Sequence, residues 1–285
     1  MADYPQIDLT EWKQVGEGGN GKTYEKLSEP EKILKVNNSR SNDLASVKQE
    51  FDVSRAVESL GLPTPRMFDI VRVGDAFGAV SERIRDKKSL SRICHDEPSR
   101  TAEMGALLAR LAKDLSSTQC NTELFPDRRQ QALKATEIAT YVSRKHRDKI
   151  RAFIGTIPEC TTCSHGDFQP GNVIMSGGKC YWIDLGRFAY GDPRFDIGHL
   201  FQICRVYAPM KQVQDIFHMT LDQFHEFWDA FAKEYTGKED HSEFDAMAGR
   251  FAAIDVLMRP IFLKPSFAEK IFFRIYVTRL VKKYY

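Results

Sequence analysis

Asp167, Asn172 and Asp184 place three oxygen-bearing side chains on one short stretch of the chain. It runs Ser164-His165-Gly166-Asp167-Phe168-Gln169-Pro170-Gly171-Asn172, then Val173 to Met175, a Ser176-Gly-Gly-Lys179 turn, Cys180 to Ile183, and Asp184-Leu185-Gly186-Arg187. Two short apolar runs around a glycine turn pair as a hairpin. Asn172 immediately precedes the first run and Asp184 immediately follows the second, so both sit at the open end, on strands about 5 Å apart. A carboxamide and a carboxylate converging there form a hard-oxygen cage suited to Mg²⁺ carrying phosphates. Asp167 stands five residues before Asn172, on the loop that feeds the same end. A carboxylate at that point can orient an incoming hydroxyl and take its proton.

The elements around this stretch fall into two kinds. Before residue 85 the chain is extended: Leu9 to Val15, Thr23 to Lys26 and Ile33 to Val36 read as strands, and Met67 to Val73 and Phe77 to Glu82 as a hairpin across Gly74-Asp75. Between them, Leu44, Val47, Phe51, Val57 and Leu60 recur at steps of three and four, an amphipathic helix ended by Gly61 and Pro63. After Arg85 helices dominate, with candidates over Thr101 to Leu115 and Gln130 to Phe153, a break at Pro126, and further helices from Phe195 onward. The expectation is an α+β, bilobal protein: residues 1–84 form a small antiparallel sheet with one helix, and residues 85–285 a larger, mainly helical lobe. The break at 83–86 reads as a hinge within one catalytic unit.

The segment from His165 to Asp184 matches H-x-D-x-x-x-x-N followed by D-x-G, a pattern shared by kinase-fold enzymes. His-Gly-Asp, and the run Ile183-Asp-Leu-Gly-Arg-Phe-Ala-Tyr-Gly-Asp-Pro-Arg-Phe-Asp196-Ile-Gly, resemble the aminoglycoside phosphotransferase and choline kinase family, over Gly16 to about Leu200. The resemblance implies a protein-kinase-like fold and γ-phosphoryl transfer from ATP with Mg²⁺, Asp167 serving as catalytic base and Asn172 and Asp184 as metal ligands. It further implies that His165 and Asp196 support the catalytic loop. Asp192, in Gly-Asp-Pro, reads as a turn former. Arg187 is open between phosphate or substrate contact and a local ion pair.

Gly16-Glu-Gly-Gly-Asn-Gly21-Lys22-Thr23 satisfies two phosphate-binding motifs at once, G-x-x-x-x-G-K-T and G-x-G-x-x-G. The first requires a long helix straight after its Lys-Thr, whose N-terminus helps hold the phosphate. Pro30 and the strand-forming Ile33-Leu-Lys-Val36 leave no room for one. The loop therefore reads as a kinase-type glycine loop between two antiparallel strands, in which Gly16, Gly18, Gly19 and Gly21 let backbone amides approach phosphate. Lys35 then becomes the phosphate lysine and Lys22 a solvent-facing or accessory charge. Glu50 on the following helix is the candidate ion-pair partner of Lys35, with Glu58 next in line.

Only eleven residues separate Asp184 from Asp196, and no Ala-Pro-Glu follows, so no platform for an extended peptide exists and a small-molecule acceptor is expected. From Asp215 to Asp245 nine acids face only Lys233 and Lys238, which suits a cationic acceptor such as an aminoglycoside or amino alcohol. Phe217, Leu221, Phe224, Trp228, Phe231 and Tyr235 recur there at helical spacing, so the acids equally suit the wet face of a core helix. Forty-one basic against 39 acidic residues give no reason for a nucleic-acid or membrane partner, and no apolar run approaches a membrane span. The opening residues have neither a basic region nor an apolar stretch, and six cysteines read as reduced thiols, so a cytoplasmic location is expected. Cys160-Thr-Thr-Cys163 has no second CxxC to complete a zinc site and reads as structural. Two alternatives stay open: a P-loop nucleotidase using Lys22, and a kinase-fold module that binds nucleotide without turnover.

Overall fold

The computed structural model describes residues 4–18, 21–37 and 42–285. The chain divides into two compact units, Met1–Lys88 with Ile174–Gly186, and Ser89–Val173 with Arg187–Tyr285. The hairpin between Asn172 and Asp184, which the division at residue 84 leaves in the second lobe, thus groups with the first unit.

The first unit is built on a five-stranded antiparallel sheet. Its strands are β1 (Lys13–Gly18), β2 (Gly21–Glu25), β3 (Lys32–Asn37), β4 (Met67–Val73) and β5 (Ala76–Glu82), in the order β1-β2-β3-β5-β4. Leu9–Glu11, read from the sequence as the start of a strand, is a 3-10 turn, because the Asp8 carboxylate accepts from the Thr10 N–H at 2.9 Å and caps it. Alternation along β3 assigns the two faces of the sheet. Leu34 packs with Val71 and Val80 on one side, where Trp12, Tyr24 and Phe68 join them. Ile33 and Lys35 point to the other, where helix α1 (Leu44–Ser59) lays Val47 and Phe51 against Ile70. The hairpin β8 (Val173–Ser176) and β9 (Lys179–Trp182) is tied to this unit by Trp182 N–H to the Pro63 carbonyl (2.8 Å) and by Ser176 Oγ to the Arg85 carbonyl (2.6 Å).

The second unit is mainly helical. A short strand β6 (Lys88–Ser89) leads into α2 (Leu90–Asp96), followed by α3 (Thr101–Ser117), α4 (Arg128–Ile138) and α5 (Arg144–Gly155). Where periodicity gives one helix over Gln130 to Phe153, there are two. α4 stops at Ile138, and the Ser143 side chain caps a new start by accepting from His146 N–H. Strands β7 (Cys163–Ser164) and β10 (Ala189–Tyr190) pair antiparallel and flank the segment from His165 to Phe188. Then come α6 (Arg194–Phe201), continued by a π-helical turn over Gln202–Tyr207, and α7 (Lys211–Phe217), α8 (Leu221–Thr236), α9 (Ser242–Phe262) and α10 (Phe267–Tyr284). α3 packs on α8, and α9 packs on α4, α6 and α10. Phe224, Phe227, Trp228 and Phe231 of α8 are fully buried, so the aromatic spacing builds core.

Several acids of the 215–245 region are engaged locally. Asp215 pairs with Lys211, Asp229 with Arg205 and His241, Glu239 with Lys233, and Asp245 accepts from the Trp228 indole N–H. Among the described residues no helix is long and apolar enough to cross a membrane.

Candidate active site

In the first unit, β3 and α1 place Lys35 and Glu50 on facing surfaces, and their side chains meet at 2.8 Å. Asp184, directly after β9, lies 3.4 Å from the same ammonium and has a left-handed backbone (φ +57°), a conformation aspartate tolerates better than most residues. Burial works against the charge on Lys35, but Glu50 and then Asp184 outweigh it and raise the ammonium's pKa. Burial likewise opposes ionisation of Glu50, and Lys35 with the Asn37 amide more than offsets it. These charges line a cavity whose walls include Ile33, Met67, Ile84 and Ile183. Lys87, which no motif singled out, borders it too. Glu58 instead contacts Arg66.

Gly16 and Gly18 lie in β1 and Gly21 opens β2; Gly19 falls outside the described residues. Lys22 sits in β2, paired with Val36, with its side chain exposed. The glycine loop therefore leads into a strand, and no helix N-terminus stands behind Lys22 and Thr23.

In the second unit the Asp167 loop is held from below. Asp196, near the start of α6, accepts from the His165 N–H at 2.7 Å and the Gly166 N–H at 2.8 Å. His165 is itself buried, and its Nδ1 accepts from Asp167 N–H. Gly166 has φ +79°, and a Cβ there would come within 2.0 Å of the Arg128 guanidinium and 2.2 Å of the Arg187 carbonyl, so the position admits only glycine. Phe168 turns inward and stacks edge-on against Phe231, anchoring the loop in the core. Asp192 pairs with Arg194.

Three groups converge on the Asp167 carboxylate. Asn172 Nδ2 donates to its Oδ2 (3.1 Å) and to its backbone carbonyl (2.8 Å). Arg187 lies 3.6 Å from Oδ1 and rests on the Phe262 ring. His199 Nε2 lies 3.1 Å from Oδ1. Burial alone would raise the Asp167 pKa; His199, then Arg187 and His165, overcome it and hold the carboxyl well below the usual carboxylate range. Asp167 is thus ionised throughout the physiological range.

Sequence reasoning missed His199, Asp255, Arg128 and Arg259. Two signals were available. His199 stands three residues after Asp196 and so shares its side of α6. Asp255 is a lone carboxylate inside the apolar run Phe251-Ala-Ala-Ile-Asp-Val-Leu-Met258, where an unpaired charge would be costly.

All six cysteines are free thiols. Cys163 is buried in β7, and Cys160 Sγ lies 3.1 Å from the Thr162 hydroxyl. Among the described residues no group of three or more His, Cys, Asp and Glu is placed to hold a metal ion.

No curated protein sequence matches the chain. Its fold is similar to that of a thermostable mutant of aminoglycoside phosphotransferase APH(4)-Ia in ternary complex with ADP and hygromycin B, at 14% identity, TM-score 0.60, over 96% of this chain and 94% of that one. It is similar to the amicoumacin kinase hAmiN in complex with AMP-PNP, Ca²⁺ and Ami, at 14% identity, TM-score 0.57, over 98% and 90%. It is also similar to choline kinase LicA from Streptococcus pneumoniae, at 14% identity, TM-score 0.52, over 99% and 94%. These likenesses make the fold kinase-like, with an antiparallel sheet first and helices after. Sequence and fold agree, because residues 11–234 match the phosphotransferase enzyme family, and it is to this family that the chain belongs.

Proposed function

We propose that the chain transfers the γ-phosphoryl group of ATP, in the presence of Mg²⁺, to a hydroxyl of a small molecule. The observation that carries the reading is Lys35, an ammonium held 2.8 Å from a helix carboxylate and 3.4 Å from Asp184 at the wall of a cavity with apolar sides. A lysine fixed on a strand by a helix glutamate is suited to bridging phosphate oxygens, and the apolar walls suit a flat base. In this reading Asp167 takes the acceptor proton. As the acceptor oxygen bonds to the γ-phosphorus, the bond from phosphorus to the β,γ-bridging oxygen breaks and ADP leaves.

Asn172 and Asp184 each carry a hard oxygen donor of the kind Mg²⁺ takes, which supports their reading as its ligands. Asn172 turns its Nδ2 to Asp167 and so presents Oδ1 elsewhere, and Asp184 adds a carboxylate. Two oxygen ligands suffice for an ion that keeps water and phosphate oxygens as its others. When bound, the ion neutralises charge developing on the phosphates. Asp184→Ala is expected to lose Mg-dependent ATP binding, and Asn172→Ala, which removes a neutral ligand, to raise the metal requirement. Activity titrated against Mg²⁺ checks both; unchanged metal dependence in the two variants would refute the pair as ligands.

The acceptor is aminoglycoside-, amino alcohol- or sugar-like. ADP release by the purified protein, screened across these three classes, is expected to show saturable turnover with at least one. Binding of Mg-ATP with no ADP release to any acceptor or to water would favour a nucleotide-binding module instead.

A further inference from the structure

His199 is 2% exposed and stands between two carboxylates, with Nε2 3.1 Å from Asp167 Oδ1 and Nδ1 3.0 Å from Asp255 Oδ1. A neutral imidazole carries one N–H and one lone pair, so it would turn that lone pair on one of the two anions. Only the imidazolium turns a lone pair on neither and sets a positive charge between the two. The Nε2–H does not lie along the line to Asp167 Oδ1, so this contact is one of charges at short range; the Nδ1 contact to Asp255 is a well-formed hydrogen bond.

The placement is built into the helix crossing. A Cβ on Gly198 would come within 2.4 Å of the Phe251 side chain and 2.6 Å of its backbone, so glycine there lets α6 and α9 approach closely. The next residue of α6 thereby meets Asp255 of α9. Asp255 is fixed in turn by Arg259 (3.2 Å), whose guanidinium also donates to Gln202 at the start of the π-helical turn (2.6 Å). π-helical turns recur at functional sites. The clamp therefore ends on groups held by two helices.

We propose that His199 is a positioning residue for Asp167: an imidazolium, anchored through Nδ1 by Asp255, that orients the Asp167 carboxylate toward the acceptor hydroxyl. The proposal rests on the phosphotransferase reading above. The charged groups around His199 are Asp167 from the catalytic loop, Asp196 from its own helix, Asp255 and Arg259 from α9, Arg128 from α4, and Arg187. Burial disfavours the imidazolium, but Asp255 and then Asp167 outweigh it and push the pKa up to about 9. The charge is accordingly present at neutral pH and lost as pH rises toward that value.

Two measurements on the full chain test this. The first is the imidazole titration followed by NMR, with the His199 signal identified by its loss in His199→Gln. His199 is expected to titrate far above the usual value of about 6.5, and at lower pH in both Asp255→Asn and Asp167→Asn. Titration near 6.5, unmoved by either variant, would overturn the proposal without any turnover assay. The second is ADP release with the acceptor found by the screen, or with water. His199→Gln is expected to lower kcat about 100-fold, the scale of loss from misplacing a reacting group by about 1 Å, with KM for ATP unchanged within about twofold. The fall of kcat on the alkaline side should disappear in His199→Gln and move to lower pH in Asp255→Asn. Wild-type kcat and pH profile in a folded His199→Gln would overturn the proposal. If wild type released no ADP to any acceptor or to water, the phosphotransferase reading itself would fail, whereas the NMR titration would still decide the His199 pairing.

Discussion

Asp167→Asn is expected to lower kcat by about 10²- to 10⁴-fold, the range for loss of a general base, while Mg-ATP binding stays near native. The substitution keeps shape and removes charge. Asn172 would keep its bond to the backbone carbonyl of residue 167, and Asp196 would still hold the His165 and Gly166 amides. What disappears is the anion that receives the acceptor proton. Steady-state ADP release, with calorimetric titration of Mg-ATP beside it, separates the two effects. A variant with near-native turnover would remove Asp167 from the base's role; one that has lost nucleotide affinity as well would give it a binding role instead.

Lys35→Ala and Lys22→Ala should differ sharply. Lys35 carries two carboxylate contacts at a cavity wall, whereas Lys22 is exposed on a strand. Removing the Lys35 ammonium takes away the phosphate contact and leaves Glu50 and Asp184 facing the nucleotide as anions. kcat/KM for ATP should therefore fall by at least about 100-fold, some 2.7 kcal/mol of lost transition-state stabilisation. Lys22→Ala should change it by less than about tenfold, roughly 1.4 kcal/mol. Steady-state kinetics at saturating acceptor decides the matter. The reverse ranking would revive a P-loop and discard the kinase reading of the glycine loop.

Much of the architecture was legible from local rules. Strand alternation and the three-and-four spacing of α1 are nearest-neighbour properties, and β3, β4, β5 and α1 fall within a few residues of where those rules put them. The misplacements have local causes that hydrophobic periodicity does not register: the Asp8 carboxylate that turns Leu9–Glu11 into a 3-10 turn, and the Ser143 hydroxyl that starts a new helix within one apolar pattern.

For the site, the spacing of His165, Asp167, Asn172 and Asp184 was readable because one loop and one hairpin carry all four. The alternation that turns Lys35 toward α1 was readable for the same reason, since it is a period of two within a single strand. The partners that set the charge state of Asp167 were not. His199 and Asp255 lie 56 residues apart on different helices, and they meet only because Gly198 permits α6 and α9 to come into close contact. Local sequence specifies which groups can do chemistry and on which face each sits. The tertiary structure decides which buried charges share a low-dielectric space, and there the energy of a pair depends on a distance that no spacing along the chain encodes.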